Sequence, residues 1–373
     1  MDRPGRKALL AFSASAAALS LMGAAAGQVS PIALRAAKWL SPKDRVTALL
    51  EQPGECFAKP ADPESAWQAE VGRAVFRSPV LLGGQAAKAG VSCDTCHKNG
   101  RRNADLVFPG LSGEPGTADV TSSLMSTHRG DGVFNPRPIP DLAGTGLLPS
   151  RQLNGAQLAH FVDGIVTEEF EGDEPPPGVL KGLTTYVRVL RPEACPVGPA
   201  AVTATSNAAD VERAVRAAQG ALARKDDDTA LATLAAARAM LFLIDERYAG
   251  PGLEAERSQI RTASLDLASI ESIVQRKAVA GPMLDLWLAR YPAWRAQLQR
   301  AEKRSLYDRA ALAKAMGVAS TPTVARPART PAVSPRTGCA QSGATSASGP
   351  ITNSLSAARG CGTVTPPAAV SRP

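Results

Sequence analysis

Histidine is nearly missing from this chain, with three residues in 373, and aromatic residues make up only 4% of it. A single C-x-x-C occurs, at Cys93 and Cys96, and no second one follows. Each scarcity excludes something. One C-x-x-C without a second leaves no four-thiolate zinc site, and no βαβ pattern surrounds it to carry a thioredoxin-like redox pair. A nucleic-acid surface needs Lys and Arg clustered on a folded face and interleaved with aromatics, and no such stretch occurs. The formal charge of +8 and the pI near 9.4 sit mostly at the ends of the chain. Arg3, Arg6 and Lys7 against Asp2 account for part of it. Arg326, Arg329, Arg336, Arg359 and Arg372, with no acid among the last 55 residues, account for most of the rest, so the middle is close to neutral.

What the chain does have is concentrated in Val91-Ser92-Cys93-Asp94-Thr95-Cys96-His97, where Cys93, Cys96 and His97 spell C-x-x-C-H. Two thiols at this spacing can add to the two vinyl groups of one haem, and the imidazole that follows can reach the iron from the proximal face. One covalent haem c is therefore expected, ligated by His97. Residues 1–26 agree with this. A basic start, an uncharged Ala- and Leu-rich run and Ala24-Ala25-Ala26 read as a secretory signal with an A-x-A cleavage site. The alternative, an uncleaved anchor, is weakened by Ser13, Ser15 and Ser20. The expected location is periplasmic or secreted, with no membrane span after signal cleavage, in a compartment where cysteines can pair. Cys56 and Cys195 bracket the haem motif and are expected to form a disulfide; for a loop this long the chain-entropy model gives on the order of 5 kcal/mol.

The rest reads as all-α. Residues 27–55 are a lead-in with a short helix over 42–51. Residues 56–198 form a haem domain that opens on a helix over 64–77 and closes on one over 177–190, with Gly72, Phe76 and Tyr186 at their crossing. A linker over 199–208 precedes an antiparallel four-helix bundle over 209–318. Its fourth helix extends from Leu284 toward Met316 with a kink at Pro292. The bundle carries no catalytic constellation and reads as an accessory or docking domain. Residues 319–373, rich in Pro, Ser, Thr and Ala, are expected to be disordered, with Cys339 and Cys361 able to pair there.

Three matches give a family resemblance. The Gly72-to-Phe76 spacing followed by a terminal helix resembles the helix crossing of the cytochrome c fold. Phe108-Pro109-Gly110-Leu111-Ser112-Gly113 resembles the Pro-x-Leu-x-Gly segment of class I cytochromes c, which implies that the Pro109 carbonyl accepts from Nδ1 of His97 and that Leu111 lies at the haem edge. Over roughly residues 72–190 the chain is similar to the bacterial dihaem cytochrome c peroxidases and their MauG relatives, Pro138-Ile139-Pro140-Asp141-Leu142 included. Those proteins carry two C-x-x-C-H motifs and this chain has one, and Gly146-Leu147-Leu148-Pro149 stands where many relatives place a distal methionine.

Candidates for the second axial ligand are few: Met125 or His128, with His160 on a helix capped by Asn154, or else an open position. Arg101 and Arg102 either meet haem propionates or face water. The acidic run Glu168 to Glu174 either docks a basic redox partner or is simply solvated. Arg129-Gly130-Asp131 needs no more than a tight loop to account for it. The expected function is electron transfer to an unidentified redox partner protein, with no nucleic acid involved. The alternative is a peroxidase-like enzyme or a small-ligand sensor with an open distal site. The single motif favours the carrier.

Overall fold

Helix starts in this chain are written by caps and prolines, and the elements follow from them in a computed structural model that describes residues 34–145 and 148–318. The described residues belong to the first of two units into which the chain divides, Met1–Arg326; the second, Pro327–Pro373, lies outside them, as do the signal segment, Cys339, Cys361, Gly146 and Leu147. The elements are mostly helical. Short helices α1 (Arg35–Lys38) and α2 (Arg45–Leu50) lead into strand β1 (Glu51–Pro53) and the longer α3 (Pro63–Val75). Three more short helices follow: α4 (Pro79–Leu82), α5 (Gly84–Ala89) and α6 (Cys93–Cys96). Strands β2 (Thr117–Ala118) and β3 (Arg137–Pro138) pair antiparallel. Then come α7 (Pro149–Gln152), α8 (Gly155–Gly164), α9 (Pro177–Val189), β4 (Pro199–Ala201), α10 (Ala204–Ala223), α11 (Asp227–Arg247), α12 (Glu254–Gln275), α13 (Gly281–Ala301) and α14 (Arg309–Ala315).

Helix α3 starts where the Asp62 carboxylate accepts from the Ser65 amide and Pro63 occupies a position whose missing N–H costs nothing. It crosses α9 at two glycines. A β-carbon on Gly72 would land on the carbonyl of Gly182 and against Tyr186, so only glycine permits this approach. Phe76 packs beside the crossing with its ring 5.1 Å from that of Tyr186, as the spacing predicts. The expected disulfide between Cys56 and Cys195 is present, and the Arg191 amide donates to the Cys56 carbonyl beside it. Residues 199–208 do not form a bare linker. Pro199–Ala201 pairs antiparallel with Glu51–Pro53, and Thr203 caps α10.

Helices α10 to α13 pack in chain order around a core of Val211, Leu234, Leu241, Leu267, Leu284 and Trp287, with α13 returning to α10. Pro292 lies inside α13, as expected, but this helix ends at Ala301. A short turn follows, and Asp308 caps a separate helix, α14, by accepting from the Ala311 amide, so no single helix reaches Met316. The lead-in folds against this end. Leu34, Leu40, Leu49 and Leu50 share a cluster with Leu306 and Leu312. Among the described residues no helix is long and apolar enough to cross a membrane.

Candidate functional site

The motif forms a one-turn helix held from several sides. The Ser92 amide donates to Thr95 Oγ1 at its start, and the Asp94 amide reaches the Phe76 carbonyl at the end of α3. At its far end the Asn103 side chain donates to the Thr95 carbonyl and the Asn103 amide to that of Cys96. Asn99 takes a left-handed conformation, φ 53°, which asparagine tolerates better than most residues. Its amide donates to Asp94, its side-chain amide donates to the Pro53 carbonyl, and its side-chain oxygen accepts from Arg77.

Cys93 and Cys96 are free thiols, half-buried against the apolar cluster of Leu82, Leu106, Phe108, Leu111, Met125 and Ile139. Burial pushes both pKa values up to about 12; the neighbouring Cys96 adds to it for Cys93, and the Glu169 carboxylate adds to it for Cys96. Both are therefore protonated at neutral pH. Burial holds the His97 imidazole down to about 4 against the opposing pull of the Pro140 carbonyl and Asp141, so the ring is neutral. Nδ1 of His97 lies 3.1 Å from the carbonyl oxygen of Pro140. A carbonyl can only accept, so Nδ1 carries the proton and Nε2 keeps its lone pair free for a metal.

The acceptor is Pro140, forty-three residues away, and not Pro109. Pro109 stands exposed at a turn, with Gly110 following it at φ 80°, while its neighbours Phe108 and Leu111 turn inward. Phe108 stacks on Trp39 with ring centroids 3.9 Å apart. The Pro140 segment is locked to the motif by two further links. The Leu142 amide donates to the Gly100 carbonyl, and Arg101 donates to both carboxylate oxygens of Asp141, at 2.8 and 2.7 Å. Arg101 also places Nη1 3.0 Å from Cys56 Sγ, so its guanidinium is engaged with protein groups, whereas Arg102 is exposed.

The ligand candidates separate. Met125 is 4% exposed and belongs to the apolar cluster that receives Cys93 and Cys96. His128 and His160 are exposed. The acidic run also divides: Glu168 is about half exposed, but Glu169 is 10% exposed and meets Arg129 at 2.7 Å. Burial pushes the Glu169 carboxyl up to about 7; Arg129 opposes this and Glu168 adds to it. Pro140, Arg101, Asp141, Arg129 and Glu169 carry no local sequence signature for these roles, since each acquires its partner from some forty residues away.

A cavity of about 180 Å³ lies behind the motif helix, lined by Asp94, Thr95 and Lys98 on one side and Asp210, Glu246 and Arg247 on the other. His97, Cys93 and Cys96 do not line it. Two free thiols three residues apart, an imidazole with Nε2 unprotonated and a buried thioether in the same apolar surroundings form a donor set that fits a covalently tethered porphyrin iron. No family model matches the chain, and no curated relative or solved structure matches it either.

Proposed function

We propose that this chain is an exported single-haem c-type cytochrome, a relative of the dihaem peroxidases that has kept one motif and works as an electron carrier. Cys93 and Cys96 would hold the group by adding their thiols to its two vinyl groups, and His97 would offer Nε2 to the iron. A haem bound there supplies an iron that alternates between the ferric and ferrous states. The observation that carries the reading is the His97 ring, held neutral with Nδ1 on the Pro140 carbonyl, directly after two free thiols.

The remaining residues support carriage over turnover. Met125, buried in the same apolar cluster as the thiols, is the residue that would offer the iron its second protein donor. With its thioether so used, the iron would offer no open site to peroxide. The glycine crossing of α3 and α9 fits a cytochrome c-like domain over 56–198, and the packing of α10 to α13 fits an antiparallel four-helix bundle over 209–318 that serves a partner protein.

The test is the full chain produced with a haem-attachment system and exported. The expected result is one haem per chain by intact mass, retained after denaturation, with Cys93→Ala and Cys96→Ala each losing one tether. A chain that carries no covalent haem sinks the proposal. A high-spin ferric iron that turns over peroxide rapidly would favour the enzyme reading instead.

A further inference from the structure

Met125 sits in a segment with little regular structure between Asp119 and Asn135, so something other than secondary structure must hold its thioether in place. Three of the residues that follow it are tied to one acidic turn. The Ser126 hydroxyl donates to the Glu168 carbonyl. The Thr127 amide and hydroxyl both donate to Glu171 Oε1, at 2.8 and 2.7 Å. The His128 amide closes back on Ser126 Oγ. Arg129 then spreads its guanidinium over two carboxylates: Nε and Nη2 reach Glu168 Oε2 at 3.0 and 2.7 Å, and Nη1 reaches Glu169 Oε1 at 2.7 Å.

The acidic turn is itself firmly seated. Helix α8 widens into a π-helical turn over Ile165–Glu169, which redirects the side chains that follow. Glu171 takes φ 56°, and a β-carbon on Gly172 would sit 2.8 Å from the Leu81 carbonyl and 2.9 Å from Val166 Cγ1. Gly164 lets Arg129 close in, since a β-carbon there would lie 3.3 Å from Nη2. The forked pair to Glu168 is exposed and contributes little by itself, but the single bond from Nη1 goes to Glu169, which is 10% exposed, so that charge-assisted bond is held largely out of water.

We infer that Arg129 is a positioning residue: by clasping Glu168 and Glu169 it fixes the segment that carries Met125, and so keeps the thioether at the apolar wall beside Cys93 and Cys96. The inference rests on the reading of Met125 as an axial ligand. In holoprotein, Arg129→Gln frees the segment, so exogenous imidazole binds the ferric iron about tenfold more tightly as it displaces a loosened methionine. The charge-transfer band of methionine-ligated ferric haem weakens in parallel. Amide exchange over residues 122–132 rises about tenfold, while α3 and α9 stay protected and show that the chain is folded. Arg129→Lys, which keeps the charge but loses the fork, gives intermediate values, and Glu169→Gln moves the same readouts in the same direction.

Unchanged exchange and unchanged imidazole affinity in Arg129→Gln overturn the inference and leave the haem-carrier reading intact. Met125→Ala is the separate arm. It is expected to abolish the methionine band, and an unchanged spectrum removes Met125 as ligand and this inference with it, while the haem count per chain still reports on the cytochrome itself.

Discussion

Glu55 shows how much one buried carboxylate can hold together. It receives Arg73, Arg77 and the Tyr186 hydroxyl, the last at 2.7 Å, and so joins the end of α3, the α9 crossing and, through the Arg77–Asn99 bond, the motif. Burial alone would raise its pKa, but Arg77, Arg73 and Tyr186 outweigh it and lower the group from its ordinary 4.5 to about 2. The folded value lies below the unfolded one, so the stabilisation is complete above about pH 4.5 and is lost as pH falls toward 2. Glu55→Gln is expected to cost on the order of 3 kcal/mol at pH 7 and to flatten the acid limb of the stability curve. Urea midpoints from pH 7 down to pH 3 measure this, and a variant whose acid limb matches the parent contradicts it. The residue-scale chemistry was only partly legible. Met125 and His128 are three positions apart and equally plausible on paper, and only burial separates them. Pro109 had the better local pattern, yet Pro140 provides the carbonyl, because the bond depends on how a distant segment returns to the motif.

At the scale of elements, sequence is informative where a feature is local. Asn154 caps α8 through the Gln157 amide, and Pro63 and Pro177 mark the first turns of α3 and α9. Gly72 and Phe76 identify the crossing because a glycine one turn from an aromatic has few other uses in an apolar helix face, and Tyr186 meets both from α9. The same crossing gives a sharp expectation. Gly72→Ala should destabilise the protein by about 3 kcal/mol, because the added carbon meets backbone rather than a movable side chain. Thermal unfolding measures the loss, and an unchanged melting temperature refutes it. The elements that sequence missed are those made by pairing. Pro199–Ala201 reads as linker because its partner, Glu51–Pro53, lies far back in the chain. The break after Ala301 is hidden because helix formers run on both sides of it and the stop comes from docking of Leu306 onto the lead-in.

The whole molecule is closed twice. Cys56 and Cys195 clasp the segment that carries the C-x-x-C-H motif across a separation of 139 residues, and replacing both with serine is expected to cost about 4–5 kcal/mol, read from the urea midpoint of the oxidised parent and the variant. The second closure joins the helical array to the segment that carries the motif. Trp67 donates to the Ala217 carbonyl at 3.1 Å, under an Arg224 guanidinium that lies 3.8 Å above its ring and pairs with Glu64. The lead-in completes it. Arg247 donates to the Leu49 carbonyl, and Arg309 reaches Thr47 and Glu51 across 262 and 258 residues.

This last contact sets an order of events. A chain made from its N-terminus releases Thr47 long before Arg309, so the lead-in pairs first with Pro199–Ala201 and with Arg247, and its contact with α14 forms last. Pro53, whose carbonyl accepts from the Asn99 side chain, is set at the earlier stage, when its strand pairs with Pro199–Ala201. The loop after the motif can thus be restrained before the C-terminal helix arrives, and α14 comes last to complete the cover over the lead-in.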